Sequence, residues 1–233
     1  MNQAEGRLHK VVKQPYVYQA ARWVGVVQPK FQPENRNLIF APRLSIRGTA
    51  FWLKYPPLLV TCSHVVEHLA YAPVEQTGLL VVGSNGNHMR VAIGLLDFMH
   101  DLAFLVPQNV TDQELEKESA NGLDIASDYP KLGEEVEYAG FPLGNQLWDQ
   151  HKEPSYAKGI VSARMRDEGL RKVIQITGSI APGFSGSPIV SRDDPKRVIG
   201  IISNSPSQEA GQAQIFMAVA WEHLQVVSKL ILD

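Results

Sequence analysis

Pro182-Gly183-Phe184-Ser185-Gly186-Ser187-Pro188 is the last of three short segments whose order along the chain decides the fold. Glycines on both sides of Ser185 permit a tight turn and let another backbone approach closely, the setting a nucleophilic serine needs. A serine hydroxyl is a poor nucleophile at neutral pH, so it requires an imidazole to take its proton and a carboxylate to hold that imidazole in the right tautomer. Thr61-Cys62-Ser63-His64-Val65 supplies the imidazole, and His100-Asp101-Leu102-Ala103-Phe104-Leu105 supplies the carboxylate. The order is His64, Asp101, Ser185, whereas other solutions to the same chemistry run Asp-His-Ser or Ser-Asp-His.

Around these segments, Gly48-Thr49-Ala50-Phe51-Trp52 lies ahead of the histidine and Gly140-Phe141-Pro142-Leu143-Gly144 lies ahead of the serine. Together with Lys158-Gly159-Ile160-Val161-Ser162-Ala163 they make the chain resemble the trypsin-like peptidase superfamily, in motif nearest the bacterial HtrA (Deg) branch. The resemblance spans roughly residues 20 to 220, and an appended peptide-binding domain like that of HtrA proteins is not expected. It implies an all-β, chymotrypsin-like fold of two six-stranded antiparallel β-barrels, here followed by a C-terminal helix.

The strand pattern agrees with that expectation. Short β-rich runs separated by turn residues cover Trp23-Val27, Thr49-Leu53, Leu58-Thr61, Leu79-Val82, Val91-Leu95 and Leu102-Val106, and a second series covers Glu135-Ala139, Gly159-Ala163, Lys172-Thr177, Ser187-Val190, Val198-Ser203 and Ile215-Val219. The expected organisation is an N-terminal segment over 1–20, a first barrel over 21–107, an irregular surface crossover over 108–130, a second barrel over 131–220 and a helix over 221–233. The helix is read from Trp221, Leu224, Val227 and Ile231, which fall at helical spacing with Glu222, Gln225, Ser228 and Lys229 on the opposite face.

At 233 residues the chain is long enough to bury two barrel cores. A formal charge of -2 gives it no general attraction to nucleic acid. No stretch approaches the roughly 18 apolar residues a membrane span needs, so neither nucleic acid nor membrane is expected as a partner. Cys62 is the single cysteine. No intramolecular disulfide is available, and the expected location is cytoplasmic.

Carried onto these positions, the resemblance implies an acyl-enzyme peptidase in which Ser185 attacks, His64 shuttles the proton and Asp101 orients His64. Asp97 is the nearest competitor for the third role; Asp-Leu-Ala-Phe-Leu favours Asp101. The backbone N–H groups of Gly183 and Ser185 are the expected oxyanion hole. Ser203, Asn204 and Ser205 are the expected strand edge for a substrate backbone, and Ser179, six positions before the nucleophile, the expected floor of the specificity pocket. An uncharged floor favours an uncharged substrate side chain. The expected partners are a protein or peptide substrate and a regulatory protein that orders the loops; no metal or organic cofactor is required. Two departures from the family pattern stand out: Phe184 replaces the polar residue before the serine, and Ser187 replaces a glycine. In secreted trypsins an Asp at that position pairs with an N-terminus freed by cleavage, which Phe184 cannot do. The departures keep open a catalytically weak peptide-binding module. His64-Val65-Val66-Glu67-His68 keeps open a zinc peptidase with two histidines one helical turn apart.

Overall fold

The computed structural model describes residues 14–27, 44–70, 78–82, 87–144, 153–166, 172–204 and 215–232. Six antiparallel strands, β1 (Ala21–Val27), β2 (Leu44–Trp52), β3 (Leu59–Thr61), β4 (Leu79–Val82), β5 (His88–Asp97) and β6 (Leu102–Pro107), close into a barrel in the order β1-β2-β3-β6-β5-β4. Large apolar side chains on and between its strands are fully buried, among them Trp23, Phe51, Trp52, Leu59, Leu102, Phe104 and Leu105. β4 shows the alternation of buried and half-buried residues expected of a strand with one face inward. β3 is buried along its whole length and leads directly to His64.

The crossover between barrels is more ordered than its sequence suggests. Residues Asp112–Ser119 form a helix, and Asp124–Ile125 form a short strand, β7, parallel to a strand of the second barrel. The helix was hidden because Leu115 is its one apolar residue, leaving no hydrophobic periodicity to read. Its start is nonetheless written as Thr111-Asp112-Gln113-Glu114. The Glu114 N–H donates to Thr111 Oγ1 while the Thr111 N–H donates back to the Glu114 carboxylate, a reciprocal cap.

β8 (Glu135–Gly140), β9 (Ser155–Arg166), β10 (Lys172–Gly178), β11 (Pro188–Ser191), β12 (Arg197–Asn204) and β13 (Ile215–Ala220) run in the order β11-β8-β9-β10-β13-β12, and a β11–β12 pairing closes the second barrel. Tyr138, Ile174, Ile176, Ile189 and Phe216 fill it. The C-terminal helix, Trp221–Leu232, packs on β12 and β13 through buried Trp221, Leu224 and Val227, the stripe expected from the spacing. Both six-stranded barrels and the helix are therefore as the sequence predicts. A short N-terminal helix, Tyr16–Ala20, lies against β8 and β11, so the chain ahead of the first barrel touches the second.

The two barrels meet at Thr49, which is fully buried. Its N–H donates to the Ser185 carbonyl at 2.8 Å and its hydroxyl donates to the Gly183 carbonyl at 2.8 Å. The same hydroxyl oxygen accepts the Phe141 N–H at 3.0 Å, and the Thr49 carbonyl accepts the Thr61 hydroxyl at 2.7 Å. A strand of the first barrel thus holds the serine loop of the second. Ser187 offers the opposite case: its hydroxyl is buried with no hydrogen-bond partner among the described residues.

Two conservative substitutions separate these cases. Thr49→Val strands the Phe141 N–H and the Gly183 carbonyl and is expected to cost about 1–3 kcal/mol. Ser187→Ala removes an unpaired buried hydroxyl and is expected to leave stability unchanged or slightly higher. Urea unfolding of both variants measures the contrast; equal losses would show that Ser187 has a partner comparable to those of Thr49.

Candidate active site

His64 is delivered by the end of β3. Thr61 ties that end to Thr49 through its hydroxyl, and Ser63–Val66 then turn into a four-residue helix with Val65 and Val66 buried beneath it. The His64 side chain points outward and is 42% exposed, whereas the Asp101 side chain is only 13% exposed. Asp101 sits in the turn between β5 and β6 with φ at 54°, a left-handed conformation uncommon outside glycine. Asp97 braces that turn, accepting the His100 N–H at 3.1 Å and lying 2.6 Å from His100 Nδ1. The competing carboxylate is therefore engaged with His100, and it is Asp101 that meets His64.

His64 Nδ1 lies 2.9 and 3.0 Å from the two Asp101 oxygens. Three further donors converge on the same carboxylate: the Ser63 hydroxyl at 2.9 Å, the His64 backbone N–H at 3.1 Å and the Ser203 hydroxyl at 2.5 Å. Burial alone would push the Asp101 carboxyl up, but the hydrogen bonds from His64 and Ser203 and the charge on His64 more than offset it and bring it down to about 2. His64 moves the other way. Its hydrogen bond to Asp101 raises it, against the opposing effect of partial desolvation. This pair holds the imidazole with Nδ1 toward the carboxylate, which leaves Nε2 free to exchange a proton with a substrate-side group.

The serine loop comes from the second barrel. Gly183 and Gly186 take positive φ values of 102° and 87°. A Cβ on Gly186 would overlap the Thr49 carbonyl oxygen, so only glycine fits that close approach. Gly186 N–H donates to the Ile202 carbonyl at 2.8 Å and Ile202 N–H donates to the Ser187 carbonyl at 3.0 Å, fastening the loop to β12. Phe184 drops into the barrel core, its ring edge-on to Tyr138 with centroids 5.7 Å apart. Ser185, between the two glycines, is left half-buried. The backbone N–H groups of Gly183 and Ser185, the expected oxyanion donors, have no acceptor among the described residues.

Gly48 marks how near the serine loop comes to the histidine turn. A Cβ placed on it would lie 2.9 Å from both the Ser185 carbonyl oxygen and Val65 Cγ2, the side chain following His64. The two segments face each other across that glycine. Among the described residues no hydrogen bond joins the Ser185 hydroxyl to His64. Such contacts are often long in ligand-free sites and tighten when substrate binds.

The expected substrate residues are placed less uniformly. Ser179 follows β10, exposed, and its carbonyl accepts the Tyr138 hydroxyl at 2.8 Å. The Ser203 side chain points to Asp101 rather than to a substrate cleft, a role the sequence reading missed. Its cause is a register shift: Ile202 pairs with Ala218 and Asn204 with Met217, so Ser203 is the extra residue of a bulge that re-aims it. Asn204 ends β12, and Ser205 lies outside the described residues. Ser63 was likewise missed, although a small hydroxyl residue directly before the histidine is the available signal. Glu67 and His68 do not join a metal-ligand set with His64. Among the described residues the one His, Cys, Asp or Glu cluster close enough to share an ion is Cys62, His64 and Asp101.

Comparison with known proteins bears on the same elements. No curated protein matches the chain. Among solved structures, the HtrA-type protease AlgW with a decapeptide superposes with a TM-score of 0.68 at 20% identity, over 94% of this chain and 68% of that one. The Rv3671c protease from M. tuberculosis in its active form gives a TM-score of 0.62 at 16% identity, over 90% of this chain and 79% of that one. These likenesses establish the double-barrel fold. The sequence profile of the trypsin-like peptidase domain matches residues 48–201, a span that starts at the Gly48 contact, includes His64, Asp101 and Ser185, and covers well over half the chain. The chain therefore belongs to the trypsin-like peptidase domain family.

Proposed function

We propose that the protein is a serine endopeptidase that cleaves peptide bonds through an acyl-enzyme intermediate. The observation that carries the reading is the His64–Asp101 pair at 2.9 Å, facing across Gly48 the glycine-bracketed Ser185 loop of the other barrel. His64 Nε2 takes the Ser185 proton as Oγ bonds to the substrate carbonyl carbon. The carbonyl oxygen becomes an oxyanion, received by the Gly183 and Ser185 N–H groups, and each such donor is worth about 3–4 kcal/mol in a comparable hydrolase. The protonated His64, stabilised by the Asp101 carboxylate, gives its proton to the leaving amine, and water repeats the sequence to release the acid. No step calls for a metal. The β12 edge at Ser203 and Asn204, with Ser205 beyond it, is the proposed backbone-pairing site for a peptide. AlgW was solved with a decapeptide, which supports a peptide as the ligand class. A cytoplasmic location belongs to the same proposal and is supported by the single cysteine, which permits no intramolecular disulfide.

The missing Ser185–His64 hydrogen bond favours one second reading, a peptide-binding module with little turnover. A fluorophosphonate probe separates the two, since it labels only a serine activated by its base. Labelling is expected on the wild type and absent in Ser185→Ala, which should lose about 10⁴- to 10⁶-fold in peptide hydrolysis with its unfolding curve unchanged. A wild type that neither labels nor hydrolyses peptides would favour the binding module.

Replacing the orienting carboxylate tests the division between the two aspartates. Asp101→Asn is expected to lower turnover by roughly 10⁴-fold, because the amide stabilises the wrong imidazole tautomer. Asp97→Asn, which weakens the His100 brace but removes none of the donors to Asp101, should stay within about 10-fold of wild type, far smaller than the loss expected for a group paired with the base. Steady-state hydrolysis by both variants reads the difference; a reversed ranking would transfer the role to Asp97.

Ser179 offers no charge to a substrate cation, and a buried unpaired cation is costly. Cleavage of a peptide library randomised at the residue before the scissile bond is therefore expected to favour aliphatic or aromatic side chains. Dominant cleavage after Arg or Lys would show that the pocket is not floored by Ser179.

A further inference from the structure

Cys62 takes no part in the proposed mechanism, yet it stands directly behind the base. It is the single cysteine, so no intramolecular disulfide engages it; it is fully buried, and its Sγ donates to the Ile202 carbonyl at 3.2 Å. Cys62 Sγ, a ring nitrogen of His64 and a carboxylate oxygen of Asp101 all lie within 4.8 Å of one another. A tetrahedral zinc ion with bonds of about 2.0–2.3 Å holds its ligand atoms roughly 3.2–3.8 Å apart. The His64 Nδ1 to Asp101 Oδ2 separation of 2.9 Å is already close to that value, so an inward movement of the thiol by about 1 Å completes three corners. We infer that Cys62, His64 and Asp101 form a binding site for a borderline-soft divalent cation of the zinc class, and that occupancy arrests the enzyme. The arrest rests on the peptidase reading above; the binding does not.

The donor set selects the ion class. Thiolate with imidazole and one carboxylate suits zinc and its neighbours, whereas magnesium and calcium require oxygen ligands. The outer contacts are also in place. With Nδ1 given over to the ion, Asp101 keeps the Ser63 hydroxyl, the Ser203 hydroxyl and the His64 backbone N–H as donors that fix its orientation. Such partners orient ligands and strengthen metal sites. The fourth corner is left for a water.

The protons balance simply. The thiol proton leaves to solvent, and the neutral imidazole moves its proton from Nδ1 to Nε2, so one proton is released for each ion bound. Thiolate and carboxylate together neutralise the divalent charge. Nε2 now carries a proton and cannot accept the one on Ser185, so the base is disabled without any obstruction of the substrate cleft.

The test uses the full chain, without a histidine tag, stripped by EDTA and titrated with Co²⁺ and then Zn²⁺. Because Cys62 is the single cysteine, a sulfur-to-cobalt charge-transfer band can arise only from it within the monomer. One equivalent of Co²⁺ is expected to produce the band and Zn²⁺ to bleach it. In parallel, Zn²⁺ is expected to stop peptide hydrolysis and EDTA to restore it. Cys62→Ser, and Cys62→Ala should the first not fold, are expected to keep basal activity, lose the band and need at least about 10- to 100-fold more zinc for arrest, the loss that even an outer partner of a ligand brings. Absence of the band in an active wild type would overturn the site, as would zinc arrest unchanged in both variants. A band in a protein that hydrolyses nothing would leave the site standing and remove the peptidase reading.

Discussion

Thr49 is the constraint on which the site depends. The three groups proposed to act together come from different barrels, His64 and Asp101 from the first and Ser185 from the second, with no disulfide to fix one barrel against the other. Catalytic groups must be held to within a fraction of an ångström, since a misplacement of about 1 Å costs roughly 10²-fold. The Thr49 N–H and hydroxyl hold the serine loop at the Ser185 and Gly183 carbonyls, the hydroxyl oxygen also accepts the Phe141 N–H, and the carbonyl accepts the Thr61 hydroxyl leading to His64. The glycines around it follow from the same closeness. Gly48 and Gly186 are small because the serine loop crosses β2 at backbone contact.

Asp101 sets the second constraint, electrostatic rather than steric. A buried carboxylate is costly unless charge and hydrogen bonds replace its lost water. Here the replacement draws on both barrels, with Ser63 and His64 from one side and Ser203 from the other. The strained φ at Asp101 is held by the Asp97–His100 turn before it. The His100 ring in turn stacks on His223 of the C-terminal helix with centroids 4.0 Å apart. Barrel docking and carboxylate orientation are therefore one problem: moving the second barrel would withdraw Ser203 from Asp101 as well as Ser185 from His64.

Much of this was legible in the chain. The short β-rich runs between turn residues marked a part of every strand of both barrels, and the Trp221, Leu224 and Val227 stripe marked the last helix because those side chains are buried. The His64 and Asp101 segments were legible because short motifs fix their local turns. Features that arise from contact between distant segments were not. Thr49 read only as part of a strand, since its partners at Gly183 and Ser185 are more than 130 residues away. Ser203 read as a substrate edge because a bulge, which no periodicity announces, turns it inward. The helix at Asp112–Ser119 lacked an apolar stripe and showed itself only through its cap.

Phe184 shows how a departure from a family pattern becomes a different physical solution. An aspartate at that position is useful when a cleaved N-terminus arrives to pair with it, which makes the loop conditional on cleavage. A phenylalanine buried in the second barrel makes the loop conditional only on the barrel itself. Its burial is worth about 1.5–3 kcal/mol and an edge-on aromatic partner about 0.5–1.5 kcal/mol more. That partner is Tyr138, which also packs edge-on to Phe216 and donates its hydroxyl to the Ser179 carbonyl. One buried tyrosine thereby ties the serine loop, through Phe184, to the residue expected at the floor of the specificity pocket. The loop that carries the nucleophile and the segment that would choose the substrate rest on the same core contact, so the second barrel cannot repack around one without shifting the other.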